Sequence, residues 1–360
     1  MMLQNELTKR LQIDYPIVLA PMAGGVTSSE LVAAVSNSGG LGMIGAGYLS
    51  PDQLRHQIKE VKVLTTKNFG VNLFVPSSYS VDEQKLTISE KYLHSIELEL
   101  GIQKTTPSLP NYEQDIETFE KMVNIVIEEN IPICSFTFGI PSEDIRTKLK
   151  QNASIIIGTA TTVQEAIMNE EAGMDAVVVQ GSEAGGHRGT FAGGDQQSLI
   201  GLLSLIPQAA DQLSIPIIAA GGIMDGRGLL AAQCLGAMGV QLGTAFLVCE
   251  ESGANKLHKE AILEAAEDEV VLTKAFSGKM ARGVKNRFIE KLHGAEENLP
   301  EYPLQNELTK AIRKAASADK NPEYLSLWSG QSPRLAIKLS AQELVEKIVN
   351  ETLKLKNTLS

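Results

Sequence analysis

Eight short apolar segments occupy residues 16–242 of this 360-residue chain, and most of them are followed by a turn and a helix-like segment. The segments are 16–20, 42–45, 69–75, 131–136, 154–158, 176–179, 216–220 and 238–242. Apolar strands that alternate with amphipathic helices are typical of a parallel sheet covered on both faces. An open doubly wound sheet usually has fewer strands, and its first strand is followed by a Gly-x-Gly-x-x-Gly turn. No such turn follows the first segment of this chain. We therefore predict an α/β chain built on a (β/α)8 TIM-type barrel.

Two stretches depart from the simple strand–helix repeat. Residues 76–130 are too long for one connection, and they predict a helical insertion after the third strand. Beyond Phe246 the sequence becomes charged, and we predict helices over 256–267, 279–293, 306–318 and 341–355. We divide the chain into a barrel over 1–250, insertion included, and a helical extension over 251–360 on the barrel mouth. The single tryptophan, Trp328, either packs the extension against that mouth or lies in ordinary core.

Charge and cysteine content limit the partners that this chain can have. A net charge of -11 disfavours nucleic acid and anionic membranes, which bind basic surfaces, so a small molecule is the expected partner. Three scattered cysteines indicate neither a zinc site nor a disulfide framework, and we expect no metal. The beginning of the chain does not read as a signal peptide, and no apolar run reaches membrane-spanning length. We expect a soluble, cytoplasmic protein, and a homodimer is compatible with the sequence.

A glycine-rich loop, residues 180–189, follows the sixth apolar segment and contains His187. Glycines let a backbone approach a flat or phosphorylated ligand, and an imidazole there is suited to acid–base chemistry beside a cofactor. The alternative is a surface loop with a solvated histidine. We predict that His56, His94, His258 and His293 lie on solvated faces of helices or of the extension. Glu183 and Arg188 flank His187; they either tune its pKa or form a surface ion pair, and we favour the latter.

Glycines also follow the seventh and eighth apolar segments, where TIM barrels often bind phosphate. Gly221 and Gly222 follow the seventh segment, and Gln241, Leu242, Gly243 and Thr244 end the eighth. Their backbone N–H groups, with a helix beginning at Asp225 or Thr244, predict a site for a phosphorylated ligand. Asn72 and Gln180 belong to other strands at the same barrel mouth. Their amides either bind the edge of a flavin pyrimidine ring or form ladders between strands.

Five motifs together resemble those of the nitronate monooxygenases, formerly called 2-nitropropane dioxygenases, in their NADH-independent class I. The motifs are residues 20–25 (APMAGG), 70–72 (GVN), 180–189 (QGSEAGGHRG), 219–223 (AAGGI) and 241–244 (QLGT), and the likeness continues through 327–331 (LWSGQ) in the extension. The resemblance implies a barrel that binds FMN, with His187 as the catalytic residue. It implies FMN contacts at Met22, Ala23, Asn72, Gln180, Gly185, Gly221, Gly222, Gln241, Leu242, Gly243 and Thr244. Tyr302 and Lys310 match substrate-pocket positions, while Asn306 stands where the family often has a second tyrosine.

By this resemblance we expect oxidation of alkyl nitronates, and of nitroalkanes if His187 acts as a base, by molecular oxygen. The products would be a carbonyl compound and nitrite. Two other functions stay open. An FMN-dependent enoyl-acyl-carrier-protein reductase shares the loop, but it would require NAD(P)H and an acidic carrier, which a chain of charge -11 attracts poorly. A catalytically silent flavin-binding protein is the third alternative.

Overall fold

The computed structural model describes residues 3–102 and 109–359, and an eight-stranded parallel sheet forms its centre. The strands in chain order are β1 (Ile17–Leu19), β2 (Gly42–Gly45), β3 (Phe69–Phe74), β4 (Ile133–Thr137), β5 (Ile155–Ala160), β6 (Ala176–Gln180), β7 (Gly186–His187), β8 (Ile217–Ala220), β9 (Gly239–Leu242), β10 (Val270–Thr273) and β11 (Ala281–Val284). The central sheet has the order β1-β9-β8-β6-β5-β4-β3-β2. A parallel bridge between Val18 and Leu41 joins its two ends, so the sheet closes into the predicted barrel.

Helices follow most of the barrel strands and cover the outside of the sheet. They are α1 (Glu6–Leu11), α2 (Ser29–Asn37), α3 (Pro51–Leu64), α4 (Glu83–Glu99), α5 (Tyr112–Glu128), α6 (Glu143–Gln151), α7 (Val163–Glu171), α8 (Leu202–Ala210), α9 (Gly226–Cys234), α10 (Thr244–Leu247), α11 (Lys256–Glu264), α12 (Arg287–Leu292), α13 (Leu304–Ala318) and α14 (Ala341–Leu359). Local sequence sets several of their starts. The hydroxyls of Ser28, Ser50 and Thr162 accept backbone N–H groups of the first turns of α2, α3 and α7. Within residues 3–102 and 109–359, no helix has the length and apolarity that a membrane span needs.

The barrel has two apolar layers, as expected for strands that alternate their side chains between the inside and the outside. Inward-facing residues such as Val178 and Ile218 fill the interior, and Leu7 and Leu11 of α1 pack on the same cluster. Outward-facing residues such as Val179 pack against the surrounding helices. Helix α14 joins this outer layer, so the last helix of the extension packs on the barrel itself.

The insertion and the extension share a separate apolar cluster. Ile96 of α4 packs there with Phe276, Phe288 and Ile312. The insertion helices α4 and α5 and the C-terminal helices agree with the predicted fold class.

The predicted helix over 279–293 is wrong in its first half. Residues 281–284 form β11, which pairs antiparallel with β10 and with β7, and only α12 is helical in that segment. Pairing between segments that are far apart in the chain overrides the local pattern here. His187 consequently lies opposite Ala281 on a short strand rather than in a free loop.

Candidate active site

A cavity of about 200 Å³ lies at the carboxyl ends of the barrel strands and collects most of the predicted site residues. Its lining includes His187, Met22, Ala23, Asn72, Gln180, Gly185, Gly221, Gly222, Gln241, Gly243 and Thr244. Among the predicted cofactor contacts Leu242 is the exception, because this residue is 1% exposed within the outer core and does not line the cavity. The barrel thus brings residues from several strand ends to one place, as the geometry of parallel strands requires.

Asn72 and Gln180 use their amides chiefly to hold the protein together. Asn72 Nδ2 donates to Ser135 Oγ at 2.8 Å and to Thr137 Oγ1 at 3.1 Å, so it bridges β3 to β4. Gln180 Nε2 donates to the carbonyl oxygen of His187 at 3.1 Å, and its Oε1 accepts the N–H of Gly189 at 2.8 Å. Gln180 therefore ties both sides of the histidine loop to the end of β6.

Glycine is required at two points on the cavity wall. A Cβ on Gly185 would lie 2.5 Å from the backbone nitrogen of Gly330, so this close approach of loop and extension excludes a side chain. Gly222 has φ +64°, a conformation that glycine adopts without strain. The N–H groups of Gly222 and Thr244 bond to no other atom of the described chain, so they are free to donate to a ligand.

One predicted phosphate contact is already occupied by the protein. Asp225 caps α9, and its carboxylate accepts the N–H of Arg227 at 2.9 Å. An anion would compete with this carboxylate at the start of α9, so the donors left for a phosphate are the backbone groups after β8 and β9. The extension closes this side, because the N–H of Gly330 donates to Thr244 Oγ1 at 2.8 Å.

His187 sits on the wall of the cavity, among aromatic rings. Its ring centroid is 5.3 Å from that of Trp328 and 6.1 Å from that of Tyr302. Burial lowers the pKa of His187 to about 3, and the charges of Lys279 and Arg313 contribute to the lowering. The imidazole is therefore neutral at pH 7, because burial disfavours its protonated form.

The two charged neighbours of His187 in sequence do not form the predicted surface ion pair. Arg188 is fully buried, and its guanidinium donates to the carbonyl oxygens of Gln180, Gly181 and Ser198. These hydrogen bonds hold the histidine loop in place. Burial lowers the pKa of Arg188 to about 10. The Glu183 carboxylate accepts the N–H of Leu202 at 2.8 Å at the start of α8. Both side chains serve the local architecture.

His258 was expected on a solvated face, and that prediction is wrong. The side chain is 7% exposed and lines the cavity, because α11 folds back against it. Its Nε2 lies 2.8 Å from the carbonyl oxygen of Trp328, and burial lowers its pKa to about 4. Trp328 itself contacts both Phe276 of the extension and His187, so it joins the extension to the barrel mouth.

A second, larger cavity of about 510 Å³ adjoins the first, and Tyr48, Phe74 and Phe138 line both. The predicted pocket residues Tyr302 and Lys310 line the larger one. The Tyr302 ring is 5.8 Å from that of Phe138, and burial raises the pKa of its hydroxyl well above 10. Lys310 Nζ is 2.6 Å from Glu307 Oε1.

Asn306 also lines the larger cavity, where its Oδ1 accepts an N–H of Arg313 at 2.9 Å. Sequence reasoning missed Arg313, as well as Ser277 and Lys279. Ser277 contacts His187, Lys279 lines the larger cavity, and both precede β11, whose position depends on long-range pairing. Their local sequence carries no signal that would place them beside a histidine so distant in the chain.

Comparisons with known proteins agree with this geometry. The sequence profile described as nitronate monooxygenase matches residues 4–351. A probable nitronate monooxygenase from Staphylococcus haemolyticus (strain JCSC1435) is 50% identical over 349 residues, which are 96% of each chain. The structure of nitroalkane oxidase from Streptomyces ansochromogenes superposes with a TM-score of 0.92 at 36% identity, covering 99% of this chain and 100% of its own. FabK from Thermotoga maritima has a TM-score of 0.78 at 30% identity, with coverages of 99% and 98%.

Proposed function

The chain belongs to the nitronate monooxygenase family, and from that premise we propose that this oxidoreductase uses FMN and molecular oxygen to oxidise alkyl nitronates. The products would be a carbonyl compound and nitrite. Oxidation of nitronates is the activity of the family, and the cofactor, the oxidant and the products are what we add. We also propose that neutral nitroalkanes are substrates, because His187 offers a base.

The observation that carries the proposal is the position of His187 on the wall of the smaller cavity, next to residues of the larger one. The ring lines the smaller cavity, and Tyr302, whose ring centroid is 6.1 Å away, lines the larger one. We assign the smaller cavity to the cofactor and the larger one to the substrate. In this assignment an acid–base group on the wall of the cofactor cavity is close to the substrate cavity through Phe138 and Tyr302, as proton transfer at a carbon next to a cofactor requires.

The smaller cavity fits FMN by the chemistry of its donors. The free N–H groups of Gly222 and Thr244 suit a single phosphate, and the first barrel turn lacks a dinucleotide motif, so we propose FMN rather than FAD. FMN would supply the electron acceptor for the oxidation. Gly185 and Gly221 leave the wall bare of side chains, while Met22, Ala23 and Gln241 complete it. For Leu242 we propose a role through its backbone alone.

The residues of the chain hold and deprotonate the substrate in this scheme. A neutral His187 takes the α-proton of a nitroalkane, whereas a nitronate arrives without that proton and requires only binding. Trp328, Phe138 and Tyr302 surround the imidazole with rings and exclude water from it. We propose that Tyr302 and Lys310 contact the substrate in the larger cavity. We propose further that residues 251–360 act as a cover over the barrel, joined to it through Trp328 and Gly330.

The cysteines of the chain suit a reducing compartment. Cys134, Cys234 and Cys249 are all free thiols, and burial raises the pKa of Cys249 to about 12, so it is a poor nucleophile. We propose a cytoplasmic location, and we propose a homodimer as the assembly to test by light scattering. No metal enters the scheme.

Anaerobic reduction of the purified, flavin-loaded protein tests the function. We expect ethyl nitronate to bleach the flavin absorbance, and air to restore it with release of nitrite. Bleaching by NADPH but not by the nitronate would indicate an enoyl reductase instead. Bleaching by neither compound would indicate a silent flavin-binding protein. Extraction of the cofactor and mass determination distinguish FMN from FAD.

A further inference from the structure

Lys279 places a positive charge on the wall of the larger cavity. Its ammonium group donates to the carbonyl oxygen of Thr190 at 3.1 Å and lies 4.8 Å from the centre of the Phe138 ring. Both partners are neutral, and an ammonium group has three N–H donors. Among the described residues no carboxylate lies within ion-pair distance of it, and burial lowers its pKa.

The carboxylates whose charges reach Lys279 are committed to other partners. Asp195 lies 3.0 Å from the ammonium of Lys274. The buried carboxylate of Glu165 accepts the hydroxyls of Thr161 and Thr190, together with the backbone N–H groups of residues 161, 191 and 192. The charge of Lys279 is therefore left for a ligand in the cavity. A partly buried cation without a counter-ion is costly unless an anion binds to it.

The charge of Lys279 also reaches the acid–base residue. After burial, it is the strongest influence that lowers the pKa of His187. Phe138 connects the two groups in space, because its ring faces the ammonium and lies 6.2 Å from the imidazole. A ligand that contacts His187 from the larger cavity therefore comes under the charge of Lys279.

We propose that Lys279 determines specificity by binding the anionic nitro group of the nitronate, and that it makes the enzyme prefer nitronates to neutral nitroalkanes. This inference rests on the proposed function. A nitronate carries its negative charge on two oxygens, which accept charge-assisted hydrogen bonds from an ammonium group. Lys279 lines the larger cavity and not the smaller one, so its ligand is the substrate rather than the cofactor.

Arg313, the other cation near His187, has a different task. Its Nη2 donates to the backbone and side-chain oxygens of Asn306 at 2.8 and 2.9 Å, so this nitrogen holds the cavity wall rather than a ligand. Lys310 is paired with Glu307. The Nε of Arg313 has no hydrogen-bond partner among the described residues, but Arg313 lines neither cavity. Lys279 is therefore the cation without an ion-pair partner that a ligand in the larger cavity can reach.

The test compares Lys279→Met, which keeps the aliphatic stem, with Lys279→Arg, which keeps the charge. Lys285→Met is the matched control. Lys285 is an exposed lysine that directly follows β11, and its ammonium group pairs with Glu290. Each protein is assayed with ethyl nitronate and with nitroethane. Binding of nitrate, an inert planar oxyanion, is followed by the change in flavin absorbance.

In Lys279→Met we expect KM for ethyl nitronate and the Kd of nitrate to rise about 10- to 100-fold. KM for nitroethane should change by less than about threefold, because a neutral substrate forms no ion pair. In Lys279→Arg the KM for ethyl nitronate and the Kd of nitrate should stay within about fivefold of the wild-type values. In Lys285→Met both constants should be unchanged. If Lys279→Met loses flavin, Lys279→Gln replaces it, and the ratio of KM for ethyl nitronate to KM for nitroethane is compared between Lys279→Gln and Lys279→Arg.

Equal losses for both substrates, or unchanged nitrate binding in Lys279→Met, would overturn the assignment. Failure of the proposed function gives a different result: the wild type would not oxidise ethyl nitronate at all. The nitrate measurement still reports on the anion site in that case, because it requires no turnover.

Discussion

The Nε2 atom of His187 lies 2.8 Å from the hydroxyl oxygen of Ser277. The same hydroxyl donates to the carbonyl oxygen of Lys279 at 3.1 Å and accepts the backbone N–H of Lys279 at 3.3 Å. A hydroxyl has one proton, and we assign that proton to the carbonyl, so that the hydroxyl oxygen accepts from Nε2–H of His187. This tautomer leaves Nδ1 unprotonated, and the bond to Ser277 is the hydrogen bond found for the ring among the described residues. Ser277 therefore orients His187 with its basic nitrogen free.

Ser277→Ala should impair the base more than the binding site. Loss of one hydrogen bond, worth about 1 kcal/mol, should lower kcat/KM for nitroethane about 5- to 10-fold. Ethyl nitronate should be oxidised nearly as well as by the wild type, because it needs no base. Stopped-flow reduction of the flavin by each substrate measures the two effects. Equal decreases would mean that the serine supports the loop without setting the tautomer.

His187→Asn removes the base itself. We expect kcat/KM for neutral nitroalkanes to fall about 10²- to 10⁴-fold, the usual contribution of general-base catalysis. For nitronates supplied in ionised form kcat/KM should fall less. The decrease is limited to the loss of a hydrogen bond to a charged group, worth about 1.5–3 kcal/mol. FMN should stay bound, as the visible absorbance of the flavin would report. No loss for either substrate would mean that His187 has no chemical role.

Gly222→Asp tests the phosphate site, with Gly222→Asn as the matched control. Both side chains must adopt φ +64°, which asparagine and aspartate tolerate better than other residues, so backbone strain is similar in the two variants. Only aspartate adds a negative charge next to the phosphate. We expect Gly222→Asp to purify with much less flavin than Gly222→Asn. Equal flavin content in both would remove Gly222 from the phosphate site.

Lys310→Ala tests the outer part of the substrate cavity. Because Lys310 lines it, we expect KM to rise most for nitronates that carry a second negative charge, such as a carboxylate. Glu307, the ion-pair partner 2.6 Å away, provides the complementary variant. Glu307→Gln should lower KM for the same substrates by freeing the ammonium. Steady-state assays that give the same change for neutral-tailed and carboxylated nitronates would contradict the assignment.

Buried histidines should make stability depend on pH. The pKa of His258 is about 4 in the folded protein and about 6.5 when unfolded, so below pH 6.5 the unfolded state binds the proton that the folded state does not. The contribution of neutral His258 to the free energy of unfolding is full above pH 6.5 and is lost as pH falls towards 4. His258→Gln keeps an N–H for the Trp328 carbonyl but does not titrate. Urea unfolding with excess FMN measures the free energy of unfolding at each pH. Between pH 7 and 5 this free energy should fall by about 2 kcal/mol less in the variant than in the wild type. Identical decreases in the two proteins would mean that His258 titrates normally.

Much of the barrel could be predicted because its determinants are local. An apolar run, a turn and a capped helix recur along the chain, and Ser50 and Thr162 cap the helices that the sequence indicates. The carboxyl ends of parallel strands meet at one face, so the convergence of Asn72, Gln180 and the glycine pairs on one cavity followed from the fold. Residues 279–284 were predicted as helix because their strand partners are not visible in local sequence.

By itself the sequence determined the eight-stranded barrel, its family and the loop that carries His187, since each depends on patterns within short segments. The tertiary structure alone decided that His187 is neutral and which neighbours act on it. Burial and electrostatic effects depend on distance in space, and Ser277, Lys279 and Arg313 reach the imidazole from a distant part of the chain. The same holds for His258, which becomes a cavity residue only because α11 folds back onto the barrel.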